Sequence, residues 1–363
     1  MVRNFFKYEL CRSAFFILLV GPMMFSSCSK NDETPDTYLD QPQCGVPFTP
    51  KSFPYKVVAF YPSWKQSVLP VDSIPWDKLT RIVYAFSLPN PDGTITASDL
   101  TLIDQLVTIA HANGVEVYLS IGGGAGSGNY PVMAENNTTR SRFIKEVRQY
   151  VFAHCLDGVD IDWEHWSSDQ TGTVVPEESN ALISVVKELN QELSPYNLGL
   201  SIDLAGSNWW GKNYFDEITD YVADLQVMAY DFSGPWSAPG PHSSFEDAIG
   251  SGGNVNSTGL AYWTGYRNWP VQKILLGVPF YGRNFDDGGG NGIAYSDIIK
   301  IQPDAYLLDR VNNIYYNGIA TIEKKTQYVV DNGFSGIMIW ELSQDSRVDS
   351  VSLLEAIDGV LNP

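Results

Sequence analysis

Eight short runs of β-branched and aromatic residues recur along this chain, most of them followed by a loop and a stretch with helical periodicity. They are Lys56–Tyr61 (KVVAFY), Arg81–Ser87 (RIVYAFS), Glu116–Ile121 (EVYLSI), Gly158–Glu164 (GVDIDWE), Leu198–Leu204 (LGLSIDL), Leu225–Asp231 (LQVMAYD), Lys273–Tyr281 (KILLGVPFY) and Gly336–Leu342 (GIMIWEL). Between the fourth and fifth, Leu182, Val185, Val186, Leu189 and Leu193 fall on one helical face, with Pro176 near its start and Ser194-Pro195 ending it. Near-continuous apolar strands alternating with helices imply a parallel sheet covered on its outside. Eight such units closing on themselves give a (β/α)₈ TIM barrel of the α/β class. The alternative is a doubly wound open sheet, but no glycine-rich dinucleotide turn follows the first run.

The fourth run constrains function most. In Asp157-Gly158-Val159-Asp160-Ile161-Asp162-Trp163-Glu164, strand alternation sends Asp160, Asp162 and Glu164 to one face and Val159, Ile161 and Trp163 to the other. The apolar set would face the outer helices, leaving three carboxylates inside the barrel, neighbours roughly 6.6 Å apart. Stacked acids in a dry interior share protons, which keeps one of them protonated near neutral pH, as a general acid requires. Glu164, nearest the strand end, is the candidate donor. A divalent metal site would use the same carboxylates, but the adjacent His165 falls on the opposite face, so no metal or other cofactor is expected. In a barrel, working groups gather at the C-terminal ends of strands. Trp64, Trp209, Trp210, Tyr230, Asp231, Trp236, Tyr281, Arg283, Trp340 and Glu341 all fall there.

The ends of the chain are different in kind. Arg3, Lys7 and Arg12 precede an apolar run from Ala14 to Phe25, which suits a signal segment (1–27) and is short for a membrane span. A proline-rich stretch to residue 54 then looks like a flexible tether, leaving 55–363 as the catalytic domain with a short insertion at 284–335. Net charge is −19 for the whole chain; residues 1–27 carry Arg3, Lys7 and Arg12 against Glu9, so the remainder is at −21. Such a chain should avoid nucleic acid and anionic polymers, and a neutral polymer suits it. Cys44 and Cys155 have no metal-like spacing and are expected to be separate thiols, with a bridge as the alternative in an exported protein.

Several of these segments resemble known families. Phe25-Ser26-Ser27-Cys28 resembles a bacterial lipobox, in which the cysteine is lipidated, and Ser29–Glu33 is similar to the acidic tract of Bacteroidetes-type surface lipoproteins. Anchoring at the outer membrane or cell surface through Cys28 alone is therefore expected, for a monomeric enzyme. Asp157-x-x-Asp160-x-Asp162-x-Glu164 resembles the DxxDxDxE signature of glycoside hydrolase family 18, the chitinases and their relatives. Ser120-Ile121-Gly122-Gly123, Met228-Ala229-Tyr230-Asp231, Tyr281-Gly282-Arg283 and the Trp340 that closes the eighth run resemble the family's other strand motifs, in order, from Lys56 to about Asp345.

That resemblance implies retaining hydrolysis of β-linked N-acetylglucosamine polymers with no enzyme carboxylate as nucleophile. Glu164 would protonate the leaving oxygen, and the sugar's 2-acetamido carbonyl would attack. Asp162 would hold the acetamido N–H with Asp160 supporting it from below, while Tyr230 would bond the acetamido carbonyl. Asp231, Tyr281 and Arg283 would contact the same sugar over a Trp340 floor, with Tyr61 and Phe86 lining the subsite. Trp209 and Trp236 would be sugar platforms or loop anchors, and Ser120, Gly122 and Gly123 structural. This chain has His165-Trp166 where chitinases carry Tyr-Pro, and its short insertion implies an open cleft suited to endo cleavage. Two other functions fit the same motifs: an endo-β-N-acetylglucosaminidase acting on N-glycan cores, and a non-catalytic lectin, which would lack the acid.

Overall fold

All eight apolar runs form strands, and they close. The computed structural model describes residues 38–45, 48–167, 172–254, 256–286 and 289–362; the expected signal segment and Cys28 lie outside the described residues. The strands are Lys56–Pro62 (β1), Arg81–Pro89 (β2), Glu116–Gly122 (β3), Gly158–Asp162 (β4), Gly199–Ala205 (β5), Asp224–Met228 (β6), Ile274–Pro279 (β7) and Gly336–Trp340 (β8). Each pairs in parallel with the next, and β1 pairs with both β2 (Val58 opposite Arg81) and β8 (Lys56 opposite Gly336), which closes the barrel. An open doubly wound sheet would leave β1 or β8 an edge.

Strand alternation divides the core in two. Val57, Ala59, Val159, Ile161, Leu200, Ile202 and Leu204 face outward, against helices Ile103–Ala112 (α1), Asn137–His154 (α2), Pro176–Leu193 (α3), Ile319–Asp331 (α4) and Leu353–Leu361 (α5). Val58, Phe60, Val83, Ala85, Tyr118, Leu275 and Met338 fill the barrel. Tyr118 needs room there: a Cβ on residue 199 would lie 1.7 Å from its hydroxyl, so only glycine fits. The barrel floor is ionic. Buried Arg81, stacked 3.7 Å over the Tyr118 ring, donates to Asp224 (2.7 Å) and Glu116 (2.8 and 3.0 Å), and Lys56 also pairs with Asp224. Two cations against two anions keep this plug neutral, which a dry interior requires.

Two expectations need correction. The expected tether runs to residue 54, but residues 39–44 and Lys51 are bonded to the domain. Leu39 exchanges hydrogen bonds with Gln149 of α2 (2.6 and 3.0 Å), Gln43 N–H bonds the Phe152 carbonyl, and Lys51 N–H bonds Gly114. Cys44 and Cys155, expected as separate thiols, form a disulfide with Cα atoms 5.4 Å apart. Cys155 caps α2 in the left-handed conformation (φ 53°), and the Gln43–Phe152 bond draws Cys44 alongside it. The seventh run also splits at Phe280. Tyr281–Asn284 leaves the barrel for a small antiparallel sheet with Asn291–Ala294, Ile314–Tyr315 and Arg310–Val311. Within the segment expected to be an insertion, 284–335, α4 lies against β7 and β8 as the barrel helix between them, so the added structure ends before it.

Candidate active site

The acid strand is held from both sides before any acid is considered. Trp163 points outward and stacks on Tyr130 (4.6 Å) and Trp166 (5.4 Å), contacts worth about 0.5–1.5 kcal/mol each beyond burial. On the barrel side Gly123 N–H and Ser127 Oγ donate to the Asp162 carbonyl (2.9 and 2.7 Å), and Ser127 Oγ accepts from Glu164 N–H (3.0 Å). A Cβ on Gly122 would meet that same carbonyl at 2.1 Å, and one on Gly123 would strike the Phe86 ring at 2.7 Å. The glycines thus let the third strand approach the acids closely.

Inside, the carboxylates stack as alternation requires. Asp160 is fully buried and accepts from Ser201 Oγ (2.6 Å), Gln226 Nε2 (2.7 Å) and Ser120 Oγ (2.8 Å). Above it Asp162 is buried with an Oδ1 that has no partner among the described residues. Burial, then the charges of Glu164 and Asp160, push Asp162 well above the carboxylate range. Glu164 is pushed up to about 7 by burial and by the Asp231 charge, against a hydrogen bond from Gly124. A fourth acid, Asp203 of β5, joins the stack; it too is buried and held well above the ordinary range by burial and by Asp160 and Asp162.

A cavity of about 240 Å³ opens over these acids, lined by Asp162, Glu164, Asp203, Tyr230, Asp231, Tyr281, Met228, Phe60, Phe86, Gly124 and Trp340. Trp340 forms one wall, stacked on Phe86 (5.8 Å) and edge-on to Phe60 (5.5 Å). Opposite it, Asp231 accepts from Tyr281 OH (2.6 Å) and from Arg283 Nε and Nη2 (2.9 and 2.6 Å). Burial works to raise Asp231, but its contacts with His242 and Arg283 outweigh burial and keep it below the usual range. The cavity therefore pairs an acid protonated near neutrality with a fixed anion, beside an aromatic face.

Behind Tyr230 lies a second buried network. Lys325 of α4 donates to Ser243 O (2.8 Å), Ser243 Oγ (2.7 Å) and Asn317 Oδ1 (2.8 Å), and Ser243 Oγ donates to the Ala229 carbonyl (2.7 Å). Burial pulls this lysine down to about 7 although Asp309, Asp247 and Glu246 oppose it. The network fastens α4 to the loop that carries Tyr230 and Asp231.

Phe86, Asp162, Glu164, Tyr230, Asp231, Tyr281 and Trp340, all singled out in the sequence, meet at this cavity, and the others have physical reasons for lying elsewhere. Trp209, Trp210, Trp236 and Arg283 line an adjoining groove of about 780 Å³ that shares Glu164 and Tyr230 with the cavity. Trp209 and Trp236 are 49% and 64% exposed, each with a cation over its ring (Lys212 at 5.3 Å, Arg283 at 5.2 Å) and the remaining surface open to a ligand. On the other side Trp64, 58% exposed, extends the aromatic line from Phe86 (6.0 Å). Tyr61 does not line the subsite. It faces the outer layer, fully buried, with its hydroxyl on the Leu69 carbonyl (2.6 Å), and Phe60 takes the inward position. Glu341 turns back to accept from Ser343 N–H and Oγ (both 2.8 Å). Asp203 was missed, although Ser201 and Asp203 alternate with Leu200, Ile202 and Leu204 as the acids of β4 do.

Residues 56–345 match the model of glycosyl hydrolases family 18. The chain belongs to that family. Among solved family 18 structures, a chitinase from the chitin utilization locus of Flavobacterium johnsoniae is 30% identical, with TM-score 0.73 over 85% of this chain and 94% of that one. A chitinase from Bacteroides thetaiotaomicron shares the fold, with TM-score 0.75 at 24% identity over 85% and 96% of the two chains. Among curated relatives, a chitinase-like effector of Moniliophthora roreri is 28% identical over 62% of this chain, and the match spans only 58% of that protein's length. Endochitinase 1 of Metarhizium robertsii is 25% identical over 81% of this chain and 82% of its own.

Proposed function

We propose that this family 18 chain hydrolyses β-1,4-linked N-acetylglucosamine polymers internally, with retention of configuration and with the substrate's own acetamido group as nucleophile. The observation that carries this is a half-buried Glu164, its carboxyl pushed up to about 7, above Asp162, whose Oδ1 lacks a partner among the described residues, in a cavity walled by Trp340. Glu164 gives its proton to the glycosidic oxygen as the C–O bond breaks. The acetamido carbonyl oxygen bonds to the anomeric carbon from the other face, forming an oxazolinium ion. Asp162 takes the acetamido N–H and balances the positive charge, Tyr230 donates its hydroxyl to the carbonyl oxygen, and Asp160 supports Asp162. Water, deprotonated by Glu164, then opens the ring. Open grooves on both sides of the cavity suit a chain running through, as endo cleavage requires.

Relatives named chitinases support chitin as the polymer, and the name chitinase-like effector on one relative gives a specific reason to weigh a lectin. Glu164, Asp162 and Tyr230 together favour turnover. Incubating the protein side by side with chitin oligomers, their de-acetylated counterparts and a high-mannose glycoprotein tests the proposal. Cleavage of chitin oligomers alone is expected; cleavage of only the glycoprotein redirects the substrate to N-glycan cores, and rapid cleavage of the de-acetylated oligomers refutes the acetamido nucleophile. We further propose that the protein is a monomer held at the cell surface by a lipid on Cys28, a reading supported by the lipobox-like Phe25–Cys28. A Cys28→Ala variant should then partition into the soluble fraction, and its retention in membranes would contradict the anchor.

A further inference from the structure

Two neighbouring acids in the stack are supported very unequally. Asp160 accepts three short hydrogen bonds, from Ser201, Gln226 and Ser120 at 2.6–2.8 Å. Asp203, opposite Gln226 in the β5–β6 register, receives only a 3.3 Å contact from that same amide, and among the described residues nothing donates to its Oδ2. Hydrogen bonds given to a carboxylate stabilise its charged form, and a buried carboxyl without them is stable only when neutral. The two side chains are hydrogen-bonded to one another, so one of them must supply the proton between them.

We propose that Asp203 is a positioning residue for the hydrolysis: it holds a proton and donates it in a hydrogen bond to Asp160, which stays an anion beneath Asp162. This rests on the glycosidase reading. The groups that face Asp203 agree with it. From β4 come Asp160, Asp162 and Glu164, and the phenols of Tyr214 and Tyr230 lie close, while the Arg81 cation acts on Asp160. Burial among acids keeps Asp203 neutral, as the hydrogen bonds alone require. The consequence is for Asp162. With a proton on Asp203 the Asp160–Asp203 pair carries one negative charge rather than two, which limits the repulsion Asp162 meets from below as it balances positive charge on the sugar.

Two variants separate a proton donor from a packing group. Asp203→Asn keeps a donor of the same shape and cannot ionise; Asp203→Ala keeps neither. Kinetics on chitin oligomers across pH should show Asp203→Asn within about threefold of wild-type kcat, with its alkaline limb unmoved, and Asp203→Ala down by roughly tenfold or more in kcat with KM little changed. If Asp203 works as a charged carboxylate, Asp203→Asn will be as impaired as Asp203→Ala and its alkaline limb will move to lower pH, which overturns the proposal. Infrared difference spectra of wild type against Asp203→Asn provide a readout without turnover. The bands of Glu164 and Asp162 should cancel, leaving one protonated-carboxyl C=O band that is present at neutral pH in the wild type and lost in the variant; a difference spectrum without that lost band overturns the assignment even where Asp203→Ala does not fold. A chain that cuts no sugar at all would sink the proposed reaction and leave the infrared result to stand by itself.

Discussion

Holding Glu164 protonated at neutral pH has a stability cost that can be measured without substrate. Burial and Asp231 lift it from an ordinary 4.5 to about 7, a gap worth about 3 kcal/mol of proton affinity. Between those two values the native state binds the proton that the unfolded chain has released. Stability therefore falls as pH rises through the window, and the whole loss is present above 7. Glutamine cannot ionise and has nearly the shape of the protonated acid. Glu164→Gln should thus match wild type at pH about 4.5 and exceed it by about 3 kcal/mol at pH about 8. Leu39–Pro363 spans 325 residues, for which an unfolding entropy of about 2 cal/mol/K per residue makes that gain about 5 °C in Tm. Thermal melts followed by circular dichroism at the two pH values test it, and an offset between variant and wild type that is equal at both would refute the reasoning. The same variant should lose turnover almost completely while still binding oligosaccharide.

Asp231→Asn removes the largest charge acting on Glu164, so Glu164 should release its proton at lower pH and the alkaline limb of kcat should move to lower pH; a limb that stays put argues against that coupling. Lys325→Met strips Ser243 Oγ and Asn317 Oδ1 of a buried donor, leaves the Ser243 carbonyl only Asn317 Nδ2 and loosens the Ser243–Ala229 link, so kcat on soluble oligomers should drop by about tenfold, and an unchanged kcat would show that the link does not position Tyr230. Reducing Cys44–Cys155, which closes a loop across 111 residues, should lower stability by about 2–4 kcal/mol in denaturant titrations, with no change beyond error counting against it.

The barrel was legible because its strands are short, largely apolar runs of five to nine residues alternating with helical patterns, a combination that little else imitates. The acids of β4 were legible because their neighbours Val159, Ile161 and Trp163 fix the phase of the alternation. That same logic explains the failure at Tyr61. KVVAFY is apolar at every position after Lys56, so nothing in it says which face is inward, and the structure turns Phe60 in and Tyr61 out. Asp203 carried a readable signal in its alternation with Leu200, Ile202 and Leu204, but one acid in a strand is less conspicuous than three. Lys325 gave none: a lysine on an amphipathic helix ordinarily reaches solvent, and only the packing of α4 over Ser243 and Asn317 buries it. The Cys44–Cys155 bond likewise depends on two distant segments meeting at the end of α2.

That meeting place has a mechanical consequence. The partners of Gln43, Cys44 and Lys51 all follow helices and precede strands: Phe152 and Cys155 at the end of α2, and Gly114 after α1. They lie at the end of the barrel opposite the cavity. A pull on the chain ahead of Leu39 frees a few hydrogen bonds and then reaches Cys44, where a covalent cross-link passes the load into the eighteen-residue helix α2. The strand β1, whose loss would open the barrel, lies downstream of that link and carries none of the load. Force applied at that end of the barrel therefore leaves the cavity and its acids in register.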